Sequence, residues 1–108
     1  MLLYERSNFM FNVDKKTEGK NLTLSLYGKL DTTTAPELEE VITNELTGIE
    51  NLVFDISSLE YISSAGLRVL LSAQKVMTIQ GSMVIKGVSE EIAEIFEVTG
   101  FNNIFTIE

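Results

Sequence analysis

The chain contains no cysteine, no histidine and no tryptophan, and it has a single proline. Without cysteine there are no disulfides and no thiolate chemistry. Without cysteine and histidine there is neither a Cys/His zinc site nor a Ser/His or Cys/His nucleophile pair. The missing tryptophan excludes nothing. One proline with seven glycines argues against a linker-rich or disordered chain. Carboxylates, hydroxyls, lysines and arginines are left for chemistry, a thin kit for an enzyme, and no cofactor or metal is expected.

Basic charge is scarce as well. Eight Lys and Arg stand against sixteen Asp and Glu, a formal charge of −8 at pH 7. The basic residues are scattered, so neither nucleic acid nor an anionic membrane surface is an expected partner; phosphate neutralisation needs clustered cations. No window approaches about 18 uninterrupted apolar residues, and "MLLYERSNFMF" at the N-terminus lacks the basic start and apolar core of a signal peptide. The expectation is a soluble, cytoplasmic protein. At 108 residues, 44% of them hydrophobic and 22% charged, residues 1–108 fit one globular domain.

Two β-like runs open the chain, "SNFMFNVDKK" and "NLTLSLYGKL", separated by "TEGK". In the second, Leu22, Leu24 and Leu26 alternate with Thr23, Ser25 and Tyr27, the period of a strand with one buried face. An antiparallel hairpin follows. "LDTTTAPELEEVITNELTG" then supplies a hydroxyl and acid cluster, an early proline, and Leu38, Val41, Ile42 and Leu46 at helical spacing. This predicts a helix over 35–47, capped by one of residues 31–34. "NLVFDISSL", residues 51–59, reads as an interior strand. A broad apolar stripe from Ser64 to Ile79 predicts a second, more buried helix. "SMVIKGV" is a further strand, "SEEIAEIFEVTG" a third helix capped by Ser89 and stopped at Gly100, and "FNNIFTIE" supplies a short last strand. The order β-β-α-β-α-β-α-β implies a small α/β domain: a mixed, mostly parallel sheet with helices packed against it through right-handed crossovers.

The junction "YISSAGLRVL", residues 61–70, is unusually bare. Ser63 or Ser64 suits the N-cap of the second helix, a role worth about 1 kcal/mol. Capping alone does not account for Ala65 and Gly66 directly after them, since glycine in a helix costs roughly 0.8–1.0 kcal/mol against alanine. Gly66 has a packing explanation, close approach of helix to sheet. The four small residues together also keep a hydroxyl within reach of another protein. A phosphate placed there meets a helix N-terminus, which its own fold tolerates, while adding about −1.5 to −2 charges to any contact packed over it.

"YGKLDTTTAP", "LVFDIS" and "YISSAGLRVLL" together resemble the STAS family, the anti-sigma factor antagonists, in order and spacing over nearly the whole chain. The resemblance implies a domain that binds an anti-sigma factor with serine-protein kinase activity, releases the sigma factor, and is switched off when that kinase phosphorylates a serine at the start of the second helix. By motif position that serine is Ser64, with Ser63 the second candidate. Many family members carry Asp where this chain has Ser63, and Ser where it has Ala65. The loop "LDTTTAP" resembles the surface element beside that serine. Asp31, Thr32, Thr33, Ser63, Ala65, Gly66, Leu67 and Arg68 are then the candidate partner-binding residues, although capping and turn formation also explain the types at 31–33. Arg68, one turn after Ser64, is placed to touch the phosphate or the partner, or to stand as a solvated helix charge. The resemblance further implies a PP2C-type phosphatase that resets the switch, and a monomer or weak dimer.

Rival readings are weaker. "ISSAG" lacks the first glycine of a nucleophile elbow, and no G-x-x-x-x-G-K-[ST] loop is present. Glu90, Glu91, Glu94 and Glu97 form an acidic helix face that reads as solvated. The alternative function is a STAS-like module that senses a nucleotide or other ligand near Asp31 and Ser64, or that switches partners in a pathway ending elsewhere than a sigma factor.

Overall fold

Leu22, Leu24 and Leu26 are all buried, and the strand that carries them joins the antiparallel hairpin to the parallel part of the sheet. The computed structural model describes residues 11–108. β1 (Phe11–Glu18) and β2 (Asn21–Leu30) form the antiparallel hairpin, with Phe11 opposite Gly28 and Glu18 opposite Asn21. The part of the first expected strand before residue 11 lies outside the described residues. α1 (Ala35–Glu45), β3 (Asn51–Ile62), α2 (Ser64–Gln80), β4 (Ser82–Lys86), α3 (Glu90–Thr99), a short 3-10 turn (Phe101–Asn103) and β5 (Thr106–Ile107) complete the expected order.

The five strands lie in the spatial order β1-β2-β3-β4-β5, parallel from β2 onward. Each parallel connection therefore steps one strand in the same direction. Right-handed crossovers that all step the same way put all their helices on one face of the sheet. The buried side chains agree. Leu24, Phe54 and Ile85 share one core with Leu38, Leu70 and Phe96 from the three helices. The opposite face carries Thr23, Ser25 and Tyr27, half-buried or exposed.

Two boundaries differ from expectation in an instructive way. The first helix ends at Glu45 rather than 47, because Gly48 adopts a left-handed φ of 81° and the chain must turn before it. β3 does not stop at 59 but runs to Ile62. Its pairing with β2 slips twice: Ser25 to Tyr27 faces Asp55 to Ser58, and Gly28 to Lys29 faces Leu59 to Tyr61, so β3 holds one extra residue at each place. These are β-bulges. At the first, the Asp55 carboxylate accepts from the Ser57 backbone N–H at 3.1 Å and its hydroxyl at 2.7 Å. Those bonds hold the Asp55 carboxyl below its usual range. Each bulge also changes the spacing of buried residues, from every second position (Leu52, Phe54, Ile56) to every third (Ile56, Leu59, Ile62). The result is a strand that projects well beyond β4, whose pairing with β3 ends at Asp55 and Lys86.

Candidate functional site

In a parallel pair the C-terminal ends of both strands lie side by side, and the helices that follow begin there. β2 and β3 end in register, Leu30 opposite Ile62, and the Ser63 N–H donates to the Leu30 carbonyl at 2.9 Å. That bond brings together the loop 31–34 and the start of α2 at Ser64, segments about thirty residues apart in the chain.

The loop is organised by one carboxylate. Asp31 Oδ1 accepts from the Thr33 hydroxyl at 2.7 Å, the Thr33 N–H at 3.0 Å and the Thr34 N–H at 3.1 Å, while the Thr34 hydroxyl, 3.2 Å away, shares its one proton between this oxygen and the nearer Lys29 carbonyl. The Thr33 hydroxyl leads the effects that hold the Asp31 carboxyl below its ordinary value, with smaller help from the two N–H groups and the Thr34 hydroxyl. Asp31 is thus an anion locked into its own loop. Thr34 occupies the N-cap position of α1, yet its side chain does not cap the helix. Its hydroxyl instead donates to the Lys29 carbonyl at 2.8 Å and accepts from the Asp31 N–H at 2.9 Å. The α1 start is served by backbone, the Ala35 N–H donating to the Asp31 carbonyl at 2.8 Å. Thr32 and Thr33 are exposed at the tip.

The two serines have separate roles. Ser63 has extended backbone and is the N-cap of α2; its hydroxyl accepts from the Gly66 N–H at 3.4 Å, and its carbonyl takes the Leu67 N–H at 2.9 Å. Ser64 is the first residue of the helix and is exposed, with no hydrogen bond to its hydroxyl among the described residues. Ala65 is half-buried and Arg68 exposed, whereas Gly66 and Leu67 are buried on the sheet side. A Cβ on Gly66 would stand 2.7 Å from Leu30 Cγ and 2.9 Å from Ile62 Cγ1. Gly66 and Leu67 therefore seat the helix on the ends of β2 and β3, underneath the surface that Ser63, Ser64, Ala65 and Arg68 present.

Beside this surface runs a groove of about 460 Å³ between α1 and α2, lined by Thr32, Pro36 and Glu39 on one side and Ala65, Arg68 and Lys75 on the other. Pro36, Glu39 and Lys75 were not singled out by sequence reasoning; the signal available was that the polar flanks of the α1 and α2 stripes must face each other if both helices share one sheet face. Among the described residues no three acidic side chains converge to hold a metal ion, and no helix is long and apolar enough to cross a membrane.

Fold and site together define a one-sided α/β domain that offers an exposed helix-start serine beside the groove between α1 and α2. The chain belongs to the STAS domain family, which it matches over residues 12–108. It is 36% identical over 88 residues to BtrV of Bordetella bronchiseptica, which carries the name of an anti-sigma factor antagonist, covering 80% of this chain and 76% of that one. It is 30% identical over 98 residues to the anti-sigma-B factor antagonist of Staphylococcus aureus, covering 89% of this chain and 91% of that one. The fold is similar to the crystal structure of an anti-sigma factor antagonist from Mycobacterium paratuberculosis, with a TM-score of 0.82 at 21% identity over 90% of this chain and 84% of that one. It is also similar to the Bacillus cell fate determinant SpoIIAA in its phosphorylated form, with a TM-score of 0.69 at 14% identity over 91% and 90%.

Proposed function

We propose that this protein is a phosphorylation-gated regulator of partner switching: unmodified, it binds an anti-sigma factor that is also a serine kinase and so frees the sigma factor. Transfer of the γ-phosphoryl group of ATP to Ser64 Oγ, with loss of the hydroxyl proton, ends that binding. The observation that carries the reading is the division of labour between the serines: Ser63 is spent on the helix cap, and Ser64 offers an exposed, uncommitted hydroxyl one residue on. Asp31, Thr32, Thr33, Ser63, Ala65 and Arg68 form the contact surface, with Gly66 and Leu67 fixing the helix beneath it. The relatives named as anti-sigma factor antagonists support this class of partner.

The chain acts here as binder and substrate and performs no catalysis itself. The one carboxylate of the loop already accepts three hydrogen bonds and part of a fourth, and among the described residues no general base is hydrogen-bonded to Ser64. On this reading residues 1–108 are one STAS-like domain, cytoplasmic, a monomer or weak dimer, reset by a PP2C-type phosphatase. Phosphopeptide mass spectrometry on protein from its native cells tests the mark, with phosphate expected on Ser64 and none on Ser63. Calorimetric titration with the cognate anti-sigma kinase tests the gate. Ser64→Ala is expected to bind as the parent does and to resist modification. Ser64→Asp should lose at least about tenfold in affinity, or about 1.4 kcal/mol. An unmodified peptide under all growth conditions, together with nucleotide binding by the isolated chain, would replace this reading with a ligand-sensing one.

A further inference from the structure

We infer that Arg68 is the built-in counter-ion for a phosphate on Ser64, turning from the groove between α1 and α2 toward the modified serine. The inference rests on the Ser64 reading above and adds the residue that receives the charge. Ser64 and Arg68 are four apart in α2, so they are neighbours on one helix face with Cβ atoms about 5–6 Å apart. Side chains in a helix lean toward its N-terminus, so a long cation at 68 extends back over the turn that holds 64. The order anion first, cation four residues later, is also the favourable one with respect to the helix dipole.

Arg68 is exposed and available. The salt bridges among the described residues are Lys15 to Glu45 and Lys20 to Glu50, both elsewhere on the molecule. Glu39 lines the same groove but is not within ion-pair distance of either Arg68 or Lys75. A guanidinium with no acidic partner among the described residues, in a chain of net charge −8, is free to take an anion. Its planar fork can take two phosphate oxygens at once, which a lysine cannot do. Lys75, eleven residues from Ser64, stands about 16 Å further along the helix and is out of reach. Glu39 is the acid that lines the groove and Asp31 the acid of the adjoining loop, with Lys75 the other cation of the groove.

Phosphorylation then does two things at once. It places charge and bulk on the contact surface, and it withdraws from the groove one of the two cations that line it.

The experiment installs phosphoserine at position 64 of the full chain by codon reassignment and follows its 31P chemical shift against pH. The ordinary second pKa of phosphoserine is about 6. In Arg68→Ala the phosphate is expected to titrate about half a unit or more higher than in the parent, a roughly threefold change in proton affinity. Arg68→Lys should recover part of that difference, Lys75→Ala should show none, and about 1 M salt should shrink it. Superimposable titrations for the parent and Arg68→Ala would overturn the inference. Because the phosphate is supplied synthetically, this result stands apart from whether cells phosphorylate Ser64, which the mass spectrometry decides.

Discussion

Gly66→Ala tests whether the bare junction is bare for packing reasons. The new Cβ would lie 2.7 Å from Leu30 Cγ, 2.9 Å from Ile62 Cγ1 and 3.0 Å from Leu30 Cδ2. Carbon atoms settle at about 3.5–4.0 Å, so both neighbours must retreat by roughly 0.7 Å or more. Neither has room, with Leu30 at 0% and Ile62 at 2% exposure, and Leu30 Cγ is a branch point rather than a flexible tip. Overpacking of this kind costs about 1–3 kcal/mol. Alanine returns at most about 0.8–1.0 kcal/mol of helix propensity, and less in a first turn than in a helix interior. The net expectation is a loss of about 1–2 kcal/mol, or roughly 5–10 °C in Tm for a domain of this size. Urea denaturation followed by circular dichroism measures it. Adding Leu30→Val should recover part of the loss, a non-additivity that identifies the contact responsible. A Gly66→Ala protein as stable as the parent, or more so, would refute the packing argument.

Gly81→Ala should be worse, beyond about 3 kcal/mol, because its Cβ would meet a backbone atom, the Glu50 carbonyl oxygen that accepts the Ser82 N–H at 2.9 Å; thermal melts will rank the two glycines. Ser63→Ala removes the α2 cap and should cost about 0.5–1 kcal/mol, at the low end because the bond is long, while a kinase assay should still find Ser64 phosphorylated. Asp31 and Asp55 both have folded pKa values below their ordinary 3.8. Their stabilisation is therefore fully present above about pH 4 and is lost as pH falls through the folded values. Denaturation midpoints should show no loss from these two groups from neutral pH down to about 4 and should fall below it. Asp31→Asn should be less stable than the parent at pH 7, by a margin that closes as pH falls through the lowered folded value of Asp31.

How much of this was legible in the sequence depends on the kind of interaction. The alternation of Leu22, Leu24 and Leu26 sets the face and register of β2, because a period of two admits only one buried side. Helix starts at the Ser63–Ser64 pair and at Ser89 were visible because capping is local chemistry; the sequence left open which of the pair caps, and the hydroxyls of Ser63 and Ser89 do so. Thr34 shows the limit of that reasoning. It sits where a capping residue belongs, but its hydroxyl is drawn to the Lys29 carbonyl, a bond that exists only because the chain doubles back after β2. The end of β3 was missed for a related reason. "ISSLEYI" does not alternate, and its spacing of three between Ile56, Leu59 and Ile62 makes sense as strand only if bulges are allowed. The groove beside Arg68 depends on how α1 and α2 sit on a shared sheet, which no local pattern encodes.

The bulged extension of β3 has a consequence for how a switch at Ser64 can work. It carries Ser63 up to the end of β2, where the Ser63 N–H is tied to Leu30, its hydroxyl to Gly66 and its carbonyl to Leu67. A phosphate on Ser63 would have to enter a half-buried position and compete with its own cap. A phosphate on Ser64 disturbs none of those bonds, and it lies at the helix end where a negative charge is favoured by about 0.3–1 kcal/mol. The fold is thus insulated from the mark. A signal written on a residue whose own backbone hardly responds has to be read by whatever touches its surface, so on the proposed reading the information lies in the contact surface and its cations while the backbone stays as it was. On the proposed reading, two adjacent serines, one holding the helix and one left free, separate stability from regulation at a single turn.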